Sequence, residues 1–193
     1  MKIGVLALQG AFIEHIEILN TLGVTAKAVR LPEELKELEG LIIPGGESTT
    51  ILKIMRDYNL TQPLKNMAET GFPIWGTCAG MICLARQVTN NNLKTLSVMD
   101  ISVRRNAFGR QVDSFETDIL VKGLGESPYH AIFIRAPVIE STGENVEVLA
   151  RLPDGTPVAA RQGQLLATSF HPELTEDYRF HRYFLDIILQ KKN

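Results

Sequence analysis

The chain has 193 residues, of which 45% are hydrophobic and 22% charged, and its formal net charge is −2. These values are typical of a single globular domain, and a chain of this length buries about 70% of the surface that it exposes when unfolded. The small negative charge, without a long basic run, argues against nucleic acid or an acidic membrane surface as the main partner.

The first residues and the two cysteines indicate a cytoplasmic protein. The N-terminal stretch reaches Glu14 and His15 too soon after a short apolar run for a secretory signal, and no apolar span approaches the roughly 20 residues that cross a bilayer. Cys78 and Cys83 are five positions apart, which suits neither a disulfide framework nor a zinc site. We therefore expect a reduced protein that stays in the cytoplasm.

The first half of the chain alternates predicted strands and helices. An apolar run at residues 3–8 predicts a buried strand, and an amphipathic stretch at 11–22 predicts a helix that ends at Gly23. Two more strands are predicted at residues 25–30 and 40–46, and the second of these ends in a glycine turn.

The alternation continues to residue 85. Ser48 or Thr49 is expected to cap a helix that reaches about residue 59. The run FPIWG, residues 72–76, predicts a strand, and residues 79–85 predict the next helix. Strands that alternate with helices predict a parallel sheet with helices on both of its faces.

The second half of the chain is rich in strands and ends in a helix. Turn signals such as PDG separate the apolar runs, and residues 178–191 form an amphipathic pattern with lysines at its end. We expect one domain over residues 1–193, of the α/β class, with a mixed and mostly parallel sheet. The strand-rich segments are residues 94–105, 113–121, 130–137 and 146–170.

The segment GTCAG, residues 76–80, lies where a predicted strand passes into a predicted helix. Its form, G-x-C-x-G, resembles the elbow that exposes a nucleophile on a sharp strand-to-helix turn. A helix N-terminus favours the thiolate of Cys78, and the N–H of Ala79 is placed to stabilise an oxyanion. The alternative is a buried cysteine packed between two apolar elements, which is what we expect of Cys83.

A cysteine nucleophile needs a base and a group that orients the base. His171 is the candidate base, because Pro172 ends the preceding strand and Glu173, two residues on, can turn back to hold the imidazole. The same His-Pro-Glu segment can also be purely structural. The other histidines are expected to be ordinary core, surface or strand residues: His15, His130 and His181.

The segment IIPGGESTT, residues 42–50, follows a predicted strand. It is not a phosphate-binding P-loop, because that motif requires a lysine that is missing here. Its glycine pair instead offers a backbone N–H that can approach a substrate carbonyl, and Gly46 is the candidate second oxyanion donor. A simple glycine turn before a capped helix is the alternative.

These three motifs, in this order, resemble the class I glutamine amidotransferases. Further stretches resemble the family of glutaminase subunits of pyridoxal 5'-phosphate synthase and extend from residue 6 to residue 177: LALQGAFIEH, RRNAFGRQVDSFE, FIRAP and SFHPELTED. The resemblance implies a three-layer fold of the flavodoxin-like or Rossmann-like type. It also implies hydrolysis of L-glutamine to L-glutamate and ammonia.

The resemblance assigns roles to individual residues. It implies that Cys78 attacks the side-chain amide to give a glutamyl thioester, that His171 transfers protons, and that Glu173 orients His171. It places the N–H groups of Gly46 and Ala79 in the oxyanion hole. It also implies glutamine-binding positions, which are Gly46, Glu47, Ser48, Arg105, Ile134 and Arg135.

The resemblance further implies a partner. Family members pass ammonia to a separate, barrel-shaped synthase subunit in a hetero-oligomeric complex, and they need no metal ion or bound cofactor. Two alternatives stay open from the residues themselves. One is a glutaminase that serves another biosynthetic synthase, and the other is a DJ-1-like protein with an oxidisable elbow cysteine and no glutaminase activity.

Overall fold

The computed structural model of the protein describes residues 1–107 and 114–191. The first elements lie where the apolar pattern predicts them, and a short 3-10 helix at Pro32–Leu35 precedes the third strand. These elements are β1 (Lys2–Leu6), α1 (Phe12–Thr21), β2 (Thr25–Val29) and β3 (Gly40–Ile43).

The helix after β3 begins differently from the prediction. The predicted cap at Ser48 or Thr49 is wrong, because the carboxylate of Glu47 accepts the backbone N–H groups of Thr49 and Thr50. A second helix follows, which was not predicted from the sequence. The elements here are α2 (Ser48–Asp57), α3 (Thr61–Glu69), β4 (Ile74–Thr77) and α4 (Ala79–Leu84).

The strand-rich second half is confirmed, with two strands that the pattern did not indicate, β5 and β9. None of the helices in residues 1–107 and 114–191 has the length and apolar character that a membrane span requires. The remaining elements are β5 (Ala85–Val88), β6 (Met99–Arg104), β7 (Ser114–Ile119), β8 (Tyr129–Ile134), β9 (Val138–Thr142), β10 (Glu147–Arg151), β11 (Pro157–Gln162), β12 (Leu165–Thr168), a 3-10 turn at Pro172–Leu174, and α5 (Arg179–Gln190).

The centre of the fold is a seven-stranded sheet, as far as the described residues show, in the order β10-β11-β12-β4-β3-β1-β2. The strands from β12 to β2 pair in parallel, whereas β10 and β11 join through antiparallel pairs. The predicted mixed, mostly parallel sheet is therefore confirmed.

Alternate side chains of the central strands supply two separate cores. Leu41 and Ile43 of β3 enter a core with α2, α3, α4 and the small sheet β5-β6-β9. Ile42 and Trp75 enter the opposite core, with α1, α5 and the hairpin β7-β8. Because both faces are covered, the central strands read as continuous apolar runs. The result is a three-layer architecture.

The parallel register brings four strand ends to one edge of the sheet. β1, β3, β4 and β12 are neighbours with the same direction, and Thr168 of β12 lies beside Thr77 of β4. In open α/β sheets, ligands bind outside the carboxyl ends of the strands. The segments that follow these strands carry both the elbow cysteine and His171, which are 93 positions apart (171 − 78).

Candidate active site

A cleft of about 420 Å³ opens at this edge of the sheet. Its walls include nine of the ten predicted site residues, whereas Glu173 lies behind the cleft wall, buried beneath His171. Three further lining residues were not predicted from the sequence: Gln9, Ile82 and Asn106. The nine predicted residues are Gly46, Glu47, Ser48, Cys78, Ala79, Arg105, Ile134, Arg135 and His171.

Cys78 occupies a strained turn between β4 and α4. Its backbone φ of 48° and ψ of −105° are unusual for a residue with a side chain. The flanking glycines permit the turn: a Cβ on Gly76 would lie 2.4 Å from the carbonyl of Gly80, and a Cβ on Gly80 would lie 1.9 Å from the carbonyl oxygen of Ile43. The G-x-C-x-G spacing thus has a steric cause. The turn places the thiol in the cleft, 3.8 Å from the carbonyl oxygen of Ile134.

His171 is held in place by its backbone and by one carboxylate. Its N–H donates to the carbonyl of Ile132 in β8, at 2.9 Å. The 3-10 turn at Pro172–Leu174 brings Glu173 back under the ring, where Oε1 lies 2.7 Å from His171 Nδ1. Glu173 is completely buried, so this carboxylate is protected from solvent.

A glycine that was not singled out from the sequence makes room for the imidazole. A Cβ on Gly45 would lie 2.6 Å from His171 Cε1 and 3.4 Å from the Cβ of Cys78. The histidine ring and the cysteine therefore both border the space that a side chain at Gly45 would fill. This close packing is the geometric sign that the two side chains converge.

The pKa of His171 reflects opposing effects. Burial alone would lower it, but interactions with Cys78 and Glu173 overcome the burial and raise the pKa from 6.5 to about 10. The imidazolium form of His171 is therefore favoured by its two neighbours, Cys78 and Glu173. A protonated imidazole beside a cysteine is the arrangement that activates a cysteine nucleophile.

Two buried histidines lie behind Glu173. His15 of α1 places Nε2 3.4 Å from Glu173 Oε2, and its Nδ1 lies 2.9 Å from Nε2 of His181 in α5. Burial lowers the pKa of both imidazoles, to about 3 for His181, so both are neutral near pH 7. The sequence predicted core or surface placement for these residues, and the structure places them in the core.

Glu47 and Arg105 form one wall of the cleft. Arg105 Nη2 lies 3.0 Å from Glu47 Oε1. Burial alone would raise the pKa of Glu47, but hydrogen bonds from Thr49 and Thr50 lower it to about 2. This carboxylate thus caps α2 and also holds the Arg105 guanidinium at the mouth of the cleft.

Gln9 fixes the segment around Gly46. Its Oε1 accepts the N–H of Glu47 at 2.6 Å, and a Cβ on Gly46 would lie only 2.4 Å from the same oxygen. Glycine is therefore required at position 46, because a larger residue would collide with the Gln9 side chain. Gln9 itself has no motif signal beyond its position directly after the first predicted strand.

Two more strained residues line the same cleft. Arg135 has a φ of 45° and Asn106 a φ of 49°. Non-glycine residues in this conformation cluster at functional sites, where the surrounding structure compensates for the strain. Of the stretch RRNAFGRQVDSFE, which carries part of the family resemblance, residues 108–113 lie outside the described residues.

His130 lies elsewhere. It is on β8 and contacts Glu116 and Asp118 of the neighbouring strand β7, at 2.8 Å and 2.9 Å, with all three side chains exposed. Within residues 1–107 and 114–191, no group of three or more histidine, cysteine or acidic side chains is arranged to hold a metal ion.

Comparison with known proteins decides the family. Residues 5–190 match the family described as SNO glutamine amidotransferase. The chain belongs to this family. The match covers nearly the whole chain, and it confirms the resemblance drawn from the motifs, together with a glutaminase role in pyridoxal 5'-phosphate synthesis.

The relatives of this amidotransferase carry consistent names. It is 63% identical over 189 residues to pyridoxal 5'-phosphate synthase subunit PdxT of Dehalococcoides mccartyi, with 97% of each chain covered. It is 60% identical over 190 residues to the PdxT subunit of Herpetosiphon aurantiacus, covering 97% of this chain and 100% of the relative. Neither alternative, a glutaminase for another synthase or a DJ-1-like protein, agrees with this membership.

Solved structures support the predicted fold. A crystal structure described as glutamine amidotransferase has a TM-score of 0.91 and 53% identity, covering 96% of this chain and 98% of that one. PurLQS from Thermotoga maritima, at 16% identity and a TM-score of 0.67, covers 100% of this chain and 99% of that one, and shares the fold. The predicted class I amidotransferase architecture is confirmed.

Proposed function

We propose that Cys78, His171 and Glu173 are the catalytic triad with which this amidotransferase hydrolyses L-glutamine to L-glutamate and ammonia. The observation that carries the proposal is the packing around Gly45, where a Cβ would contact both the His171 ring and Cys78. On the far side of that ring, Glu173 lies 2.7 Å from Nδ1. Nucleophile, base and orienting group thus follow one another from the cleft into the core.

The first half of the reaction forms a thioester. The sulfur of Cys78 attacks the side-chain amide carbon of glutamine, and the thiol proton passes to His171. His171 then gives this proton to the amide nitrogen, so that ammonia leaves as the C–N bond breaks. The contribution of Cys78 to the raised pKa of His171 is lost once its sulfur is bonded to the substrate carbon, which favours release of the proton from His171 to the amide nitrogen.

The second half regenerates the enzyme. His171, now neutral, removes a proton from water, and the resulting hydroxide attacks the thioester carbon. The C–S bond breaks, glutamate leaves, and the proton returns to sulfur. Glu173 keeps the imidazole in the tautomer with Nδ1–H throughout, so that Nε2 stays available to the reacting atoms.

The oxyanion of each tetrahedral intermediate is assigned to backbone donors. The N–H of Ala79 is at the N-terminal end of α4, directly after the nucleophile, and Gly46 lines the same cleft. Loss of one such donor typically costs about 10²- to 10³-fold in rate. We assign these two N–H groups to that role.

Glutamine binding is assigned to the cleft wall around Arg105. The guanidinium group suits the α-carboxylate of glutamine, and Glu47, which holds that guanidinium at 3.0 Å, is also available to the α-ammonium group. The remaining assigned contacts are Gly46, Ser48, Ile134 and Arg135, all of which line the cleft.

Ammonia is assigned to a partner rather than to the solvent. The relatives in Dehalococcoides mccartyi and Herpetosiphon aurantiacus are named as subunits of pyridoxal 5'-phosphate synthase. We infer that this chain forms a hetero-oligomeric complex with a separate, barrel-shaped synthase subunit, which receives ammonia through an internal path. Both cysteines are free thiols, which suits the reducing cytoplasm, where we place the enzyme.

The two cysteines allow a matched test. Glutamate and ammonia release from L-glutamine would be measured for wild-type protein, Cys78→Ala and Cys83→Ala, each alone and with the synthase subunit. Cys83 is fully buried in α4, and burial strongly raises its thiol pKa. Cys78→Ala should lose at least about 10⁴-fold in kcat, whereas Cys83→Ala should keep it. Activity retained by Cys78→Ala, or lost equally in both variants, would overturn the triad.

A further inference from the structure

The buried histidines His15 and His181 continue the line of polar groups that begins at Cys78. Glu173 presents one carboxylate oxygen to His171 and the other, Oε2, to His15 Nε2 at 3.4 Å. Among the described residues, Oε2 accepts no hydrogen bond of good geometry, although it is fully buried. A buried carboxylate oxygen is costly without a donor, and His15 Nε2 is positioned to supply one.

The hydrogen-bond pattern fixes which nitrogens carry protons. Each imidazole is neutral and has one N–H and one lone pair. If His15 carries its proton on Nε2, it donates towards Glu173, and its Nδ1 accepts the Nε2–H of His181 at 2.9 Å. His181 Nδ1 then carries no proton and has only a lone pair. This agrees with the absence of a hydrogen-bond partner for this atom among the described residues.

The opposite arrangement of protons is less favourable both at Glu173 and at His181. With the proton of His15 on Nδ1, its Nε2 lone pair would face the Glu173 carboxylate, and His181 would bury an unpaired N–H. Thr77 Oγ1, at 3.5 Å from His15 Nε2, is a long contact that would be the only gain. The first arrangement avoids facing a lone pair with the carboxylate and leaves only a lone pair unpaired at His181 Nδ1, so the structure favours Nε2–H for both histidines.

We propose that His15, backed by His181, is a positioning residue of the catalytic machinery that holds the second oxygen of Glu173 and thereby aims His171 at Cys78. The proposal rests on the proposed triad and deepens it. Neither histidine reaches the cleft, and both act only through Glu173.

A neutral donor suits this position. A charged group behind Glu173 would compete with the His171 imidazolium for the negative charge of the carboxylate, whereas a neutral N–H fixes the carboxylate orientation without cancelling that charge. The groups facing His15 are Glu173 from the 3-10 turn, His181 from α5 and Thr77 from β4, and His171 lies beyond Glu173.

Aromatic packing keeps the pair rigid. The Trp75 ring packs nearly perpendicular to both imidazoles, with centroid distances of 5.7 Å to His15 and 5.0 Å to His181. The indole N–H donates to Thr168 Oγ1 of β12 at 3.2 Å, so the tryptophan is itself fixed to the strand that leads to His171. The imidazole that faces the second oxygen of Glu173 thus has little freedom to move.

The test separates positioning from mere packing. Glutamate release would be measured for His15→Leu and His15→Gln, with Cys78→Ala as the control for the proposed triad and thermal unfolding as the control for folding. The replacement of His15 by glutamine is chosen because the side-chain amide keeps both functions of the imidazole. Its N–H can donate to Glu173, and its C=O can accept from His181. His15→Leu should lower kcat about 10- to 100-fold at unchanged KM, the same scale as the loss of a group that orients a metal ligand from its far side. His15→Gln should recover most of that loss.

Each outcome decides. Full kcat in folded His15→Leu, while Cys78→Ala is inactive, would overturn the positioning role and leave the triad intact. Equal losses in His15→Leu and His15→Gln would also overturn it, since only packing would then matter. If His15→Leu does not fold, the His181→Leu variant provides the test, because it removes the donor to His15 Nδ1. Its kcat should fall about 10-fold at unchanged KM. An unchanged kcat would contradict the proposal. Wild-type protein that releases no glutamate with its partner would instead contradict the proposed function.

Discussion

His171 and His130 both contact carboxylates at hydrogen-bond distance, yet only His171 belongs to the proposed catalytic triad. His171 Nδ1 lies 2.7 Å from Glu173, and His130 lies 2.8 Å from Glu116 and 2.9 Å from Asp118. Both histidines have a raised pKa. Distance and direction of shift therefore do not distinguish the two sites.

Burial and the neighbouring nucleophile do distinguish them. The Glu173 side chain is 0% exposed and faces a ring that contacts Gly45 beside Cys78. The side chains of His130, Glu116 and Asp118 are 52%, 59% and 67% exposed. Water and salt screen such surface pairs, which contribute little to stability. The histidine–carboxylate contact that we propose as catalytic thus differs from the surface contact in two ways: its carboxylate is shielded from solvent, and a cysteine lies beside its histidine.

The largest difference between the two sites should appear when each histidine is replaced. His171→Gln should lower kcat at least about 10⁴-fold, because no group remains to move protons between sulfur, amide and water. His130→Gln should leave kcat unchanged. Steady-state glutamate release in the complex checks both variants, and a comparable loss in His130→Gln would show that the hairpin β7-β8 takes part in catalysis.

The next effect should come from the carboxylates. Both oxygens of Glu173 face imidazole nitrogens, so Glu173→Gln must turn an amide N–H towards one of two ring N–H groups. His171 would relieve this by shifting its proton to Nε2, the wrong tautomer for a base. We expect kcat to fall about 10²- to 10³-fold. Asp118→Asn is the exposed counterpart, and any activity loss there would contradict the distinction by burial.

The sequence alone predicts Cys78, His171 and Glu173 as a site, because the signals for these residues are local. The elbow needs glycines at fixed offsets from Cys78, and Glu173 is two residues from the histidine that it orients. Strand and helix patterns likewise depend on neighbouring residues, and they place β1 to β4 and α5 correctly within a few residues.

Features of the site that depend on tertiary contacts could not be predicted from the sequence. His15 and His181 are 166 positions apart and meet only because α1 and α5 pack on the same face of the sheet. Gly45 looks like any turn glycine until the His171 ring is placed beside it. Glu47 has no cap signature of the usual Ser or Asp kind, so its capping of α2 was missed.

A smaller loss of activity should follow from filling the space beside the His171 imidazole. Gly45→Ala puts a methyl group 2.6 Å from His171 Cε1, so the ring must shift by several tenths of an ångström or more. Misplacement by about 1 Å can cost 10²-fold in rate, and we expect a fall in kcat of about 10- to 100-fold. Gly71→Ala is the control: its φ of 73° strains an alanine, but nothing lies within 4 Å of the added methyl. That variant should lose stability and keep kcat, and equal activity losses in both variants would exclude the steric explanation.

The smallest effect concerns stability and separates buried from exposed histidines by the sign of their pH dependence. Burial lowers the folded-state pKa of His15 and His181 below 6.5, so the unfolded chain binds more protons than the folded one as the pH falls below 6.5. Stability should therefore be lost on acidification, by at most about 1.4 kcal/mol per pH unit for each histidine, down to a pH of about 3 for His181.

His130 has the opposite sign. Contacts with Asp118 and Glu116 raise its folded-state pKa, so it stabilises the fold below pH 6.5 and loses that contribution as the pH rises through the raised value. Denaturant unfolding between pH 4 and pH 8 would separate the two cases. His181→Leu should flatten the acid-side loss of stability, whereas His130→Gln should leave that slope almost unchanged, because solvent screens its partners. A slope that survives in His181→Leu would mean that other groups, such as the acidic side chains, set the acid stability, and that the buried histidine accepts its proton without unfolding.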